Sequence, residues 1–298
     1  MGHACGIIYE PPPTTMFKFL KYAVLSFLAT VTAAAENVPA PPMPTQAIGQ
    51  VNFPERTPLC HAVCVVDAYN GEVLYAYNET ERRQVASLQK VVTALCICDT
   101  GDLEHPVTIS AEDRKMSAPT VLRTIKPGES YSRRVLLQLM LMGSYNNVAH
   151  ALARDAAGSE ANFADIMNRK AAELGMANSH FANCNGLPAE QYSTARDMAI
   201  AALQAYRTPA IRECIACVVW DFHTANGASS RIQNKNKLLY KFPWVNGMKT
   251  GHTNAAGHCI ITTGTHEGKA VIVVILGAPT RKCLWQEAEL YMRRALGI

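Results

Sequence analysis

Past residue 35 the sequence has no apolar run long enough to cross a bilayer, which excludes a polytopic membrane protein. It also lacks any Arg/Lys run interleaved with aromatics, and its net charge is only +4 at pH 7, so no nucleic-acid partner is expected. No internal repeat is visible. Charged residues make up 17% of the chain against 49% hydrophobic, a balance that fits one large globular domain and not a disordered chain.

Cysteine is not scarce. Ten are present, nine once Cys5 is set aside, and an odd number leaves at least one thiol free or paired between molecules. Cys60/Cys64 and Cys214/Cys217 have zinc-like spacings. The first pair lies in a strand-like run, however, and no tight second knuckle follows, so no metal or cofactor is assigned. Buried free thiols, or one or two disulfides, are the expectation.

From Met16 the chain is basic (Lys18, Lys21), then apolar through 22–31, and closes on Ala33-Ala34-Ala35. Residues 1–35 thus read as a secretory signal segment, with Met16 as the candidate true start. Export places the protein in the periplasm or on the outer face of the cytoplasmic membrane, with membrane contact only if the segment is retained. Residues 36–56, with Pro39, Pro41, Pro42 and Pro44, read as a surface linker, and 57–298 as the folded domain.

Within that domain, 62–67 and 72–77 are β-favouring runs around Asn70-Gly71, a type I′ hairpin signal. Helical patterns follow at 85–101, 135–142, 148–157, 160–174 and 194–206, with a polar loop at 143–147 and a Gly/Pro/Asn loop at 180–193. Strands at 245–250, 258–263 and 270–276 precede an amphipathic helix at 284–296. Strands first, helices in the middle and strands last predict an α+β fold: an antiparallel sheet built from both chain ends, with helices packed on it.

Ser87 and Lys90 make the only Ser-x-x-Lys in the chain. On a helix the hydroxyl and amine share one face a turn apart, and the flanking Val85, Ala86, Val91, Val92 and Leu95 predict burial. A buried lysine loses its charge easily and then serves as the base that a serine nucleophile needs. Two further places share this chemistry: the loop Ser144-Tyr145-Asn146 and the strand triplet Lys249-Thr250-Gly251. Together they form the trio of β-lactamases and penicillin-binding proteins.

With these motifs the sequence resembles the serine D-alanyl-D-alanine carboxypeptidases, the low-molecular-mass penicillin-binding proteins, from about Ala62 to Arg294. The likeness extends to Val66-Asp67-Ala68, Gly186-Leu187, Tyr192 to Ala199, and the run Asn246 to Thr253 followed by Ala256-Gly257. It implies a β-lactamase/transpeptidase-like fold and roles for each residue. Ser87 attacks the carbonyl between two D-alanines and Lys90 takes its proton. Ser144 relays a proton to the leaving amine, while Asn146 holds substrate and Lys90. Lys249 lowers the Lys90 pKa and attracts the terminal carboxylate, Thr250 donates to it, and Gly251 lets substrate approach the strand. The backbone amides of Ser87 and His252 form the oxyanion hole, with the His252 imidazole structural or solvated.

The implied partners are peptidoglycan stem peptides, with β-lactam antibiotics as covalent inhibitors. Tyr145 stands where the family has glycine, and Asn147 where aspartate is common. Tyr145 is expected to narrow the cleft or stack on substrate. Arg281 and Lys282 are approximate candidates for the arginine that many relatives aim at the carboxylate. No C-terminal β domain is expected after the 57–298 peptidase domain. Alternative readings are a DD-endopeptidase, a β-lactamase, for which Glu190 lacks the expected context, and a non-catalytic muropeptide- or penicillin-binding scaffold.

Overall fold

The structure, a computed structural model, describes residues 39–115 and 121–298. The expected export segment lies outside the described residues.

Strands β1 (Ala62–Asp67) and β2 (Val73–Tyr77) pair antiparallel. The hairpin forms, but its loop is wider than a two-residue turn: Asp67 N–H donates to Glu72 O, and Gly71 N–H donates back to Asp67 O at φ +83°. A 3₁₀ turn, Ala86–Gln89, leads into α1 (Lys90–Cys98). A short ribbon of β3 (Pro106–Thr108) and β4 (Ser130–Ser132) brackets α2 (Ala111–Lys115).

The helical cluster continues with α3 (Arg133–Gly143), α4 (Asn146–Ala157), α5 (Glu160–Leu174), α6 (Ala195–Arg207) and α7 (Pro209–Ala216). A second hairpin, β5 (Val219–His223) with β6 (Ser229–Gln233), and the short α8 (Leu238–Lys241) lead back to the sheet. The chain then runs through β7 (Val245–Thr253), β8 (Gly257–His266) and β9 (Lys269–Ala278) to α9 (Arg281–Leu296).

The main sheet has the order β2-β1-β9-β8-β7 and is antiparallel throughout. Both ends of the domain therefore meet in one sheet, as its strand pattern predicts. The central strands are near-continuous apolar runs because both faces are covered. In β9, Ile272, Val274 and Leu276 join the core shared with the helical cluster, while Val271, Val273 and Ile275 join the core beneath α9. Strand β7 is left at the edge, and the site is built beside it.

The proline-rich stretch has no helix or strand over 39–56, yet it lies against the domain. Thr45 N–H donates to Gly268 O, Ile48 N–H to Asp67 Oδ2, and Phe53 packs on Tyr75 and Tyr291. No disulfide joins the nine described cysteines, of which Cys64, Cys96, Cys184, Cys214, Cys217 and Cys259 are buried. No helix among the described residues is long and apolar enough to cross a membrane.

Candidate active site

Ser87 stands on the 3₁₀ turn and Lys90 is the first residue of α1, so the pair faces across a tighter turn than the α-helical spacing predicts. The preceding Ala86 has φ +50°, a left-handed conformation that costs a non-glycine residue about 1 kcal/mol or more and turns the Ser87 side chain towards the cleft. Lys90 Nζ lies 3.0 Å from Ser87 Oγ and 2.8 Å from Asn146 Oδ1, and it also donates to the backbone carbonyl of Asn185.

Asn146 opens α4 directly after the loop that the sequence places between two buried helices. Helix α3 is buried from Val135 to Gly143 and ends at Ser144, itself left-handed at φ +61°. Ser144 Oγ accepts a 2.8 Å hydrogen bond from Lys249 Nζ, which also donates to Thr250 O at 2.7 Å. Three chain segments thus converge through two lysines.

Both lysines are wholly or almost wholly buried, at 0% and 1% exposure. Burial lowers Lys90 to about 7, against the smaller opposing influence of Cys184 and Glu160. Lys249 is held well below the ordinary lysine value by burial first, then by the charges of Lys90 and Lys235. From the sequence, both burial and the charge of Lys249 are expected to lower Lys90; burial is the leading cause, and Lys249 is not among the groups that act on it.

Gly251 sits on β7 against the Ser87 turn: a Cβ there would lie 2.9 Å from Ser87 N and 3.1 Å from the Ala86 methyl. Any side chain would push the edge strand away from the nucleophile. Thr250, Gly251 and His252 line the same cleft as Ser87 and Ser144, a space of about 580 Å³. The His252 ring stacks on His258 of the next strand, centroids 4.1 Å apart.

Tyr145 does not line this cleft. Its ring packs back over Gly143, so close that a Cβ on that glycine would lie 2.1 Å from it, and burial raises its phenol pKa. The expectation of a tyrosine narrowing the cleft finds no support in the cleft wall, which does not include Tyr145. Asn147 clamps a neighbouring segment, accepting from Leu122 N–H at 3.0 Å and donating to Leu122 O at 3.2 Å. Arg281 lines the cleft, and Lys282 is not among the residues of its wall.

The sequence reading assigned no role to Asn185, Glu160 or Gln89, which fix the floor of the site. Asn185 offers its carbonyl to both Lys90 and Ser87. Glu160 holds that loop by accepting from Cys184 N–H and Asn185 Nδ2, while Gln89 donates to Asn183 O and Oδ1. Gly186, at φ +87°, lets the loop press on the nucleophile turn, where an added Cβ would lie 2.1 Å from Ala86 O. The sequence signal that points here is that glycine, which shares the resemblance with Leu187 and lies in the Gly/Pro/Asn loop 180–193.

The family profile of D-alanyl-D-alanine carboxypeptidase, peptidase S11, matches residues 54–280. The D-alanyl-D-alanine carboxypeptidase DacF of Bacillus subtilis is 31% identical over 73% of this chain, and the chain spans 57% of that relative's length. The D-alanyl-D-alanine endopeptidase of Escherichia coli is 29% identical over 87% of this chain and 83% of its own. Among solved structures, penicillin-binding protein D2 of Listeria monocytogenes in its ampicillin-bound form superposes with a TM-score of 0.71 at 27% identity. That match covers 81% of this chain and 99% of the Listeria chain.

Proposed function

Because the chain belongs to the D-alanyl-D-alanine carboxypeptidase family, we propose that it is a serine DD-carboxypeptidase that removes the terminal D-alanine from peptidoglycan stem peptides through an acyl-enzyme. The observation that carries this reading is the set of partners around Lys90 Nζ. A neutral amine has two N–H bonds and one lone pair. With Asn146 Oδ1 and the Asn185 carbonyl taking the two hydrogens, the lone pair is left for Ser87 Oγ at 3.0 Å.

Ser87 then loses its proton to Lys90 as its oxygen attacks the carbonyl between the two D-alanines. The amides of Ser87 and His252 serve the developing oxyanion, a contribution typically worth about 10²- to 10³-fold in rate per donor. Ser144, whose oxygen already accepts from Lys249, has its own proton free for the leaving amine. Asn146, held against Lys90, positions the substrate amide. Lys249 and Thr250 take the terminal carboxylate, with Arg281 at the cleft wall, and Gly251 lets the peptide lie along β7. Water hydrolyses the ester and restores Ser87.

β-Lactams acylate the same serine in this reading, which the ampicillin-bound Listeria relative supports. Export to the cell-wall side of the cytoplasmic membrane follows from the substrate and from the basic-then-apolar residues 16–35. The test is intact mass after mixing with benzylpenicillin, beside Ser87→Ala, together with D-alanine release from a peptide ending in D-Ala-D-Ala. One persistent adduct in the wild type alone, with D-alanine released, is expected. A folded protein with no adduct and no release overturns the proposal, and fast release of hydrolysed drug points to a β-lactamase.

A second reading rests on the relatives named D-alanyl-D-alanine endopeptidase, which match this chain at 29% and 30% identity over 87% and 86% of its length. The same residues would then cut D-alanyl cross-links, and digestion of a cross-linked muropeptide dimer separates the two activities.

A further inference from the structure

A single carboxylate oxygen outside the cleft holds the loop on which both reacting groups rest. Glu160 opens α5, where a negative charge suits the helix N-terminus, and it is not part of the cleft wall. Its Oε1 accepts from Cys184 N–H at 3.3 Å, from the Cys184 thiol at 3.1 Å and from Asn185 Nδ2 at 3.3 Å. Asn185 is held a second time, its Oδ1 accepting from Leu187 N–H at 2.9 Å. The carbonyl of that asparagine accepts from Lys90 Nζ and lies 3.3 Å from Ser87 Oγ. One residue thus stands between Glu160 and the pair of nucleophile and base. Cys184 and Asn185 are buried, so a donor freed there would find little water to replace its partner.

Few titratable groups face the Lys90 amine. The charges of Cys184 and Glu160 act on it, both in the direction that favours the ammonium, and Lys249 on β7 feels the charge of Lys90 in turn. Burial raises the Cys184 thiol well above its ordinary value, which keeps it neutral at working pH. Glu160 is therefore the standing negative charge beside the base. Other charged groups on the helices around α1 are paired elsewhere: His150 with Asp113, Lys170 with Asp99, Glu213 with Arg134, and Asp197 with Asn178 N–H.

We propose that Glu160 is a positioning residue for acylation: through Asn185 it aims the Lys90 amine at Ser87, and its carboxylate is the charge against which that amine gives up its proton. This rests on the serine carboxypeptidase reading and adds a residue to it. An anion near a buried amine favours the ammonium, so removing the charge makes the neutral base available at lower pH. Removing the hydrogen bonds instead releases the loop. The two effects are separable, because glutamine keeps an acceptor oxygen in the same place and loses the charge.

The test compares the wild type with Glu160→Gln and Glu160→Ala in two readouts, with the fold of each variant checked by thermal unfolding. One is the rate of acylation by benzylpenicillin from pH 5.5 to 9. The other is the titration of Lys90 followed by its ¹³Cε resonance, assigned with Lys90→Met, which needs no turnover. Glu160→Gln is expected to lower the midpoint of both curves by about half a pH unit or more, so that acylation at pH 6, relative to its own plateau, rises about threefold. Its plateau is expected to stay within about threefold of the wild type. Glu160→Ala is expected to lower the midpoint likewise and to cut the plateau about tenfold or more, because Asn185 loses its hold. An unchanged or raised midpoint in Glu160→Gln overturns the proposal, as does a wild-type plateau in Glu160→Ala. A lowered Lys90 midpoint in a protein that benzylpenicillin never acylates and that releases no D-alanine supports the role of Glu160 and instead overturns the carboxypeptidase reading.

Discussion

Ser87 Oγ and Lys90 Nζ stand 3.0 Å apart, the amine wholly buried and the hydroxyl on the wall of the cleft. The amine can act as a base only in its neutral form, so its titration sets the pH response of the site.

With Lys90 lowered to about 7 by burial, the acylation rate by benzylpenicillin is expected to fall about tenfold per pH unit below that value and to level above it. Stopped-flow or quenched labelling between pH 5.5 and 9 reads this directly, and a flat profile across pH 6–8 would exclude Lys90 as the base. The same shift affects stability. Between about 7 and the ordinary value of 10.5 the unfolded chain binds more protons than the folded one, so this group's contribution to stability rises with pH across that window. Lys90→Met is expected to lose acylation while leaving the fold intact, because a buried amine is replaced by an apolar chain of similar length.

Gly186 is the contact through which the 183–187 loop supports the nucleophile. Its φ of +87° and the 2.1 Å approach of an added Cβ to the Ala86 carbonyl leave only backbone to move. Gly186→Ala is expected to cost about 2 kcal/mol or more in urea unfolding and to slow acylation at least about tenfold by displacing Ser87. Wild-type values in both measurements would show that the loop does not position the serine.

Tyr145 tests the division between packing and chemistry. Its ring lies on Gly143 and is not part of the cleft wall, so Tyr145→Gly is expected to lose about 2 kcal/mol of stability while acylation changes less than about threefold. A large gain in acylation at unchanged stability would place the ring in the substrate's way after all.

How much of this was legible in the sequence differs by element. The sheet was, because β1 and β9 are apolar on both faces and the turns around them carry glycine. The residues of the three motifs were, and the structure brings Ser87, Lys90, Ser144, Asn146, Lys249, Thr250 and Gly251 together. The turn type at Ser87 was not, since Val85 to Leu95 has the letters of a continuous helix and only tertiary packing tightens its start. Nor were Asn185 and Glu160. A backbone carbonyl that binds a lysine has no letter of its own, and Glu160 reads simply as the acidic first residue of α5. Helix α7 and the β5–β6 hairpin passed unassigned because the runs from 207 to 244 are short and broken by polar residues.

The last expectation concerns Asp113, which ties α2 to α4. Its Oδ1 accepts from His150 Nδ1 at 2.7 Å, and its Oδ2 accepts from Arg154 Nη2 at 2.8 Å and from Ser110 N–H at 2.7 Å. Although burial opposes it, the bonds from His150 and Arg154 hold the Asp113 carboxyl well below the usual range. The same bond raises His150, against its own burial. The signs of the two contributions differ. The Asp113 contribution is present above about pH 4 and fades as pH falls towards its lowered folded value. The His150 contribution is full below about pH 6.5 and fades as pH rises through its raised folded value. Asp113→Asn is therefore expected to cost about 3 kcal/mol near pH 6, since it leaves two cations without their shared carboxylate. His150→Gln is expected to cost about 1 kcal/mol more at pH 5.5 than at pH 8.5. Urea unfolding of the three proteins at both pH values measures these differences. A His150→Gln penalty independent of pH would mean that the imidazole is neutral in the fold and that Arg154 alone compensates Asp113.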